Sequence, residues 1–182
     1  SKFRRHCVGV CVRSIMYNLT ENYMSNVDEV MTLVKKHENK FRVRDGGQSF
    51  RTDYGDARLK QIHQDFMPEE LREAIFRTIP IKWTDRLNYC INKYEAGDHI
   101  PRHKDSNGGY WMFKLVFLSS DKPHFKYWDE QDNAHMVEEK PGAMFNMQLG
   151  TPHAVTEIGA DENPKYSLCI MQGIDENVRK VA

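Results

Sequence analysis

Apolar and polar positions along the chain change period near residue 85. Before it, Val27, Val30, Met31 and Val34 recur at helical spacing, after a start signal at Ser25 and with Asp28 and Glu29 placed for the first turn. Pro68 reads as the first residue of a second helix. Glu69 and Glu70 suit its N-terminus, Leu71, Ile75 and Ile79 share one face, and Pro80 is the stop. Cys7–Ile15 is rich in β-branched residues and resembles a strand, and Asp45-Gly46-Gly47 is a turn between short extended pieces.

From residue 86 the pattern becomes a series of short extended runs separated by Gly, Pro, Asn or Asp. They are Arg86–Tyr94, Trp111–Ser119, His124–Trp128, Ala134–Glu138, Ala143–Gln148, Ala154–Glu157 and Tyr166–Gly173. A helical or mixed layer over 1–85 and a strand-rich core over 86–175 predict one domain across 1–182. The expected class is α+β and mainly β, an antiparallel barrel or jelly roll with the N-terminal helices packed outside.

Composition narrows the picture. At 40% hydrophobic and 29% charged, the 182 residues can build a core and stay soluble without a partner. No apolar run approaches the roughly 18 residues of a membrane span, and no charged-then-apolar leader opens the chain. None of Cys7, Cys11, Cys90 and Cys169 forms a CxxC pair, so structural zinc is not expected and a reducing, cytoplasmic compartment is. With 26 basic and 26 acidic residues, the surface as a whole is not built to grip nucleic acid. Arg42, Arg44, Arg51, Arg58 and Lys60 are interleaved with Asp45, Asp53 and Asp56, the look of a solvated face. Oligomeric state is not legible.

The chemistry gathers in the second half. In Asn92-Lys-Tyr94-Glu-Ala-Gly97-Asp-His-Ile100-Pro-Arg-His103-Lys-Asp105, Gly97 allows a turn, and His103 and Asp105 follow on an extended segment. Two residues apart, their side chains point the same way, so an imidazole nitrogen and a carboxylate oxygen can meet one ion. His153 opens a later strand. Two histidines and one carboxylate leave adjacent positions open on an octahedral ion, the arrangement of non-haem Fe(II) oxygenases. Next come Lys165 and Ser167, on one face of a strand. A dicarboxylate chelating iron by one end needs a cation and a hydroxyl for the other, and these would supply both. Lys114, alone in the apolar run Trp-Met-Phe-Lys-Leu-Val-Phe-Leu, is the rival cation, since a buried lysine needs an anion.

The run Tyr94…Gly97…His103-x-Asp105…His153…Lys165-x-Ser167 resembles the 2-oxoglutarate/Fe(II) dioxygenase superfamily, specifically over residues 86–173. Gly142-Ala-Met-Phe145 resembles the strand that these enzymes place before the distal histidine. The resemblance implies a double-stranded β-helix (jelly-roll, cupin-like) core and iron on His103, Asp105 and His153. It also implies bidentate 2-oxoglutarate, O2 as oxidant, and a distal carboxylate salt-bridged by Lys165 with Ser167. The run from Asn92 to Asp105 is similar to AlkB-type demethylases, where Asn and Tyr at the places of Asn92 and Tyr94 touch 2-oxoglutarate. That group, however, carries arginine where this chain has Lys165 and Met171. Prolyl-hydroxylase-like enzymes share the helical first half, a strand like Arg51-Thr52 and a basic anchor that can be lysine. The leading expectation is hydroxylation of an amino-acid side chain or related small molecule, releasing succinate and CO2. Oxidative demethylation of nucleobases, or a metal-binding jelly roll without catalysis, are the alternatives. Asp105 argues against halogenation, which needs that ligand position vacated.

Plainer readings hold elsewhere. Pro101 opposes a metal helix through His99 and His103, leaving His99 a supporting or surface residue. His124 and His135 read as exposed strand residues. Tyr110, Trp111, Tyr127 and Trp128 are candidates for a substrate groove or the core. Residues 41–60, Ser106–Tyr110 and 128–140 read as substrate-facing. The acidity of the last (Asp129, Glu130, Asp132, Glu138, Glu139) would repel phosphates.

Overall fold

A computed structural model describes residues 17–44, 57–80, 86–105 and 110–173. The strand expected over Cys7–Ile15, the turn at Asp45-Gly46-Gly47 and the Arg51-Thr52 pair lie outside these residues. The elements run in the order β1 (Asn18–Thr20), α1 (Val27–Lys36), β2 (Arg42–Val43), β3 (Lys60–His63), α2 (Glu69–Thr78) and β4 (Arg86–Tyr94). Then follow β5 (Ile100–His103), β6 (Tyr110–Ser119), β7 (Phe125–Trp128), β8 (Ala134–Met136), β9 (Met144–Gln148), β10 (His153–Val155) and β11 (Lys165–Gly173).

Both helices form where expected, with shifted starts. α1 begins at Val27 with Asn26 at its cap rather than at Ser25; the Asn26 amide donates across to Ala74 O of α2 at 2.9 Å. Pro68 stands at the cap of α2 and not inside it, its ψ of 141° extended. The helix stops at Thr78 because the residue before Pro80 is pushed out of the helical region, and Ile79 is extended at ψ 122°. Ile79 nevertheless stays buried.

The strands make two antiparallel sheets. The larger has seven strands in the order β1-β9-β6-β11-β4-β3-β2, and the smaller four in the order β5-β10-β7-β8. This is the jelly roll expected, and the first half of the chain contributes strands to it as well as helices. β1 pairs with β9, and β3 lies against β4 with Ile62 opposite Ile91, so N-terminal segments widen the large sheet at both edges.

Strand alternation then divides the buried side chains of the large sheet between two cores. On β11, Tyr166, Leu168 and Ile170 join Val30, Val34, Leu71 and Ile75 in the core under the helices. Cys169, with Phe113, Leu115 and Phe117 of β6, packs instead toward the small sheet around Phe125 and Val155. The second core encloses a cavity lined by titratable groups. No helix among the described residues is long and apolar enough to cross a membrane.

Candidate active site

The small sheet brings the two histidines together. His103 ends β5, His153 begins β10, and the two are direct partners in the antiparallel pairing. Their rings sit 4.1 Å apart between centroids. Asp105, two residues past the end of β5, turns back so that Oδ2 lies 3.4 Å from His153 Nε2 and Oδ1 lies 3.8 Å from His103 Nε2. One ligand atom from each of the three lies within 4.8 Å of the others. Both Nδ1 atoms are occupied, His103 bonding Pro101 O at 2.8 Å and His153 bonding Thr151 O at 2.9 Å. A ring that donates Nδ1–H to a carbonyl presents its Nε2 lone pair inward, which is how second contacts orient metal-binding imidazoles. Burial, and then the neighbouring His153, push His103 down to about 4, so its ring is neutral at neutral pH. Phe113 and Phe125 pack on His153 at 5.5 and 5.7 Å and fix its plane.

A single cavity runs from this cluster to the middle of the large sheet. Its walls include His103, Asp105 and His153 together with Asn92, Tyr94, Lys165 and Ser167, all seven residues singled out above. Lys165 stands opposite Tyr94 and Ser167 opposite Asn92 in the pairing of β11 with β4, which places all four on the cavity face. Ser167 Oγ is buried with no hydrogen-bond partner. Tyr94, 2% exposed, accepts from Asn92 Nδ2 at 3.2 Å. Burial raises the Tyr94 hydroxyl well above its ordinary range, so it keeps its proton. Lys114 does not reach this cavity. It lies one residue out of phase with Phe113 and Leu115, and its ammonium sits 5.9 Å from the ring of Tyr23 on the helix side. Strand parity separates the two lysines.

No protein-family model and no curated protein matches the chain. Solved structures do. A prolyl-4-hydroxylase from Pseudomonas putida is similar with a TM-score of 0.62 at 16% identity, over 86% of this chain and 92% of that one. A prolyl hydroxylase from Trichoplax adhaerens, in complex with a hypoxia inducible factor peptide fragment, gives 0.66 at 12% identity over 91% and 86%. The epimerase SnoN from nogalamycin biosynthesis, in complex with Fe3+, alpha ketoglutarate and nogalamycin RO, gives 0.61 at 12% over 89% and 80%. The chain has the 2-oxoglutarate/Fe(II) oxygenase fold. At these identities the likeness speaks for the fold alone; in this chain His103 ends β5, Asp105 follows it and His153 opens β10.

Several residues of this oxygenase fold escaped the sequence reading. Glu139, counted above in a substrate-facing acidic stretch, is buried at 9% exposure, and its carboxylate pairs with Lys165. The rest of that stretch is also largely spent on neighbours: Asp132 pairs with Arg102, Asp129 with His135 and Glu138 with Lys140. Arg44, read in a solvated face but also within the substrate-facing residues 41–60, lines the cavity, and so does Gln61, which was not singled out. The available signal was parity: Gln61 pairs with Asn92 across β3 and β4 and must share its side of the sheet. His124 is a correction. It is buried, not exposed, because the loop after Gly159 folds back and Glu162 Oε2 meets its Nε2 at 2.6 Å, with Thr156 Oγ1 on Nδ1 at 2.9 Å. His135 is exposed as expected, and His99 lies outside the cavity lining with its backbone bridged to Arg58. Tyr127 packs inward on Phe145 at 5.0 Å, whereas Trp128 lies under the guanidinium of Arg102 at 4.4 Å, on a separate surface cleft. Residues 106–109 lie outside the described residues.

Proposed function

We propose that the protein is an Fe(II)- and 2-oxoglutarate-dependent dioxygenase that hydroxylates an amino-acid side chain or a related small molecule, with succinate and CO2 as co-products. One observation carries this reading: a His-Asp-His cluster shares a cavity with a buried lysine and the unpartnered Ser167 hydroxyl. The residues fit the groups the reading requires. His103, Asp105 and His153 would hold the ion, a donor set that suits ferrous iron and leaves positions for other ligands. Lys165, the unpartnered Ser167 hydroxyl and the Tyr94 proton offer what a carboxylate end needs. When bound, iron and co-substrate supply the oxidising power for C–H cleavage. The chain's own share is position and dryness: Ile100, Phe113, Leu115, Phe125 and Val155 line the cavity and exclude water around the ion site. Met171 lines the same wall where a demethylase would carry arginine, which favours an amino-acid or small-molecule substrate over a nucleobase.

The test is a succinate-release screen with Fe(II), 2-oxoglutarate and O2 across free amino acids, peptides and methylated single-stranded nucleic acid. Release with an amino acid or peptide is expected. Formaldehyde release from methylated bases would move the substrate to nucleic acid. Metal binding without any 2-oxoglutarate turnover or affinity would reduce the protein to a metal-binding barrel.

A further inference from the structure

A file of polar side chains crosses the cavity wall from the edge of the large sheet to its middle. Arg44 follows β2, and its backbone N–H donates to Leu59 O at 3.0 Å, which seats it beside β3. Arg44 Nη1 donates to Gln61 Oε1 at 3.1 Å. Gln61 Nε2 donates to Asn92 Oδ1 at 2.7 Å, and Asn92 Nδ2 donates to the Tyr94 hydroxyl oxygen at 3.2 Å. All four line the cavity.

The direction of this file is set at one end. A carboxamide can face either way, but a guanidinium has donors only. Gln61 must therefore turn its oxygen to Arg44 and its nitrogen to Asn92. Asn92 must in turn accept through Oδ1, which leaves its nitrogen for Tyr94. The tyrosine oxygen is thereby made an acceptor toward Asn92, and its proton is left for something else. Among the described residues that proton has no acceptor. Tyr94 stands opposite Lys165 in the strand pairing, so the free proton belongs to the same end of the cavity as the ammonium group. Reverse the amides, and Asn92 Oδ1 takes the tyrosine proton instead.

We infer that Arg44 and Gln61 are positioning residues that commit the Tyr94 hydroxyl proton to a carboxylate bound beside Lys165, and so set the affinity for 2-oxoglutarate. This rests on the oxygenase reading above. In this inference Arg44 acts through two amides and a phenol. Its loss should cost roughly tenfold in 2-oxoglutarate affinity, the size of one hydrogen bond to a charged group.

The experiment is a 2-oxoglutarate titration of the full chain loaded with Mn(II), an inert stand-in for iron, read as a dissociation constant and not as turnover. Arg44→Met should weaken 2-oxoglutarate about tenfold and leave Mn(II) affinity unchanged, and Arg44→Lys, which keeps a donor, should recover most of the loss. In a Tyr94→Phe background, Arg44→Met should add nothing, because the group it orients is gone. Should Arg44→Met fail to fold, Gln61→Met supports the same comparison. Unchanged affinity in the single variant, or losses that add in the double variant, would overturn the inference while leaving the oxygenase reading intact. A wild-type protein that takes up Mn(II) but no 2-oxoglutarate would overturn both.

Discussion

Lys165 and Glu139 meet inside the barrel, their side chains 2% and 0% exposed. The other oxygen of Glu139 accepts two backbone N–H groups, from His124 at 2.9 Å and Phe125 at 2.6 Å, so the carboxylate is held rigidly. Burial pulls the Lys165 ammonium below its ordinary range, and Glu139 opposes that pull. Glu139 thus favours the charged form of Lys165 against the burial that disfavours it.

The pair makes a prediction that separates stability from binding. Lys165→Met leaves a buried carboxylate alone and should cost about 3–5 kcal/mol of unfolding free energy. Adding Glu139→Gln should recover much of that, measured by urea denaturation. Affinity for 2-oxoglutarate, lowered at least tenfold by Lys165→Met, should not recover. Lys114→Met, on the helix side of β6, should leave that affinity unchanged; a loss there equal to that of Lys165→Met would move the anchor to the other lysine.

Metal stoichiometry checks the other end of the cavity. Calorimetric titration with Mn(II) should give one site per chain. His103→Ala or His153→Ala should abolish it at micromolar metal, because two remaining ligands hold the ion poorly. Asp105→Gly should bind weakly and not turn over. Wild-type metal affinity in either histidine variant would remove the cluster from the mechanism.

How much of this was legible without coordinates depends on the range over which each signal acts. The core strands from Arg86 onward are bounded by turn residues and appear within a few positions of their expected limits. The His-Asp-His cluster was legible because His103 and Asp105 are local in sequence and His153 opens its own strand. What failed were relations across strands. Nothing in an acidic run marks Glu139 as the one carboxylate that goes inside, since its partner lies on the central strand β11. Arg44 looked like surface and Gln61 gave no signal because β2 and β3 are two and four residues long, too short for alternation to declare a buried face. The parity of β6, fixed by its pairing with β11, sets Lys114 on the helix side of the sheet, away from the cavity that Lys165 lines.

Gly142 offers a test of the frame and not of the site. Its φ is +82°, and a Cβ there would lie 2.7 Å from the carbonyl oxygen of Met24. The same glycine ties two segments together, accepting from Met24 N at 2.9 Å and donating to Phe117 O at 2.8 Å. Gly142→Ala therefore meets both a strained backbone and a clash with backbone, and should lower stability by about 1–3 kcal/mol. Metal stoichiometry at low temperature should be unchanged. Wild-type stability in this variant would mean that the segment before β9 does not dock on Met24 in this way.

The loop after β7 should show the acid limit of the fold. Asp129 accepts from Gln131 N at 3.0 Å, Asn133 N at 2.8 Å and Asn133 Nδ2 at 3.1 Å, and it bonds His135 Nε2 at 2.8 Å. The His135 contact first, and then the Asn133 and Gln131 bonds, hold its carboxyl down at about 2. A carboxylate depressed in the folded state binds its proton more readily when unfolded. Its contribution is therefore complete above its unfolded value near 4 and is lost as pH falls toward 2. Asp129→Asn keeps the shape and removes the charge. Thermal melts should show this variant below wild type at pH 7, with the gap closing between about pH 4 and pH 2. A gap that stays constant across that window would mean the loop is held by its turn geometry alone, with no contribution from the charge.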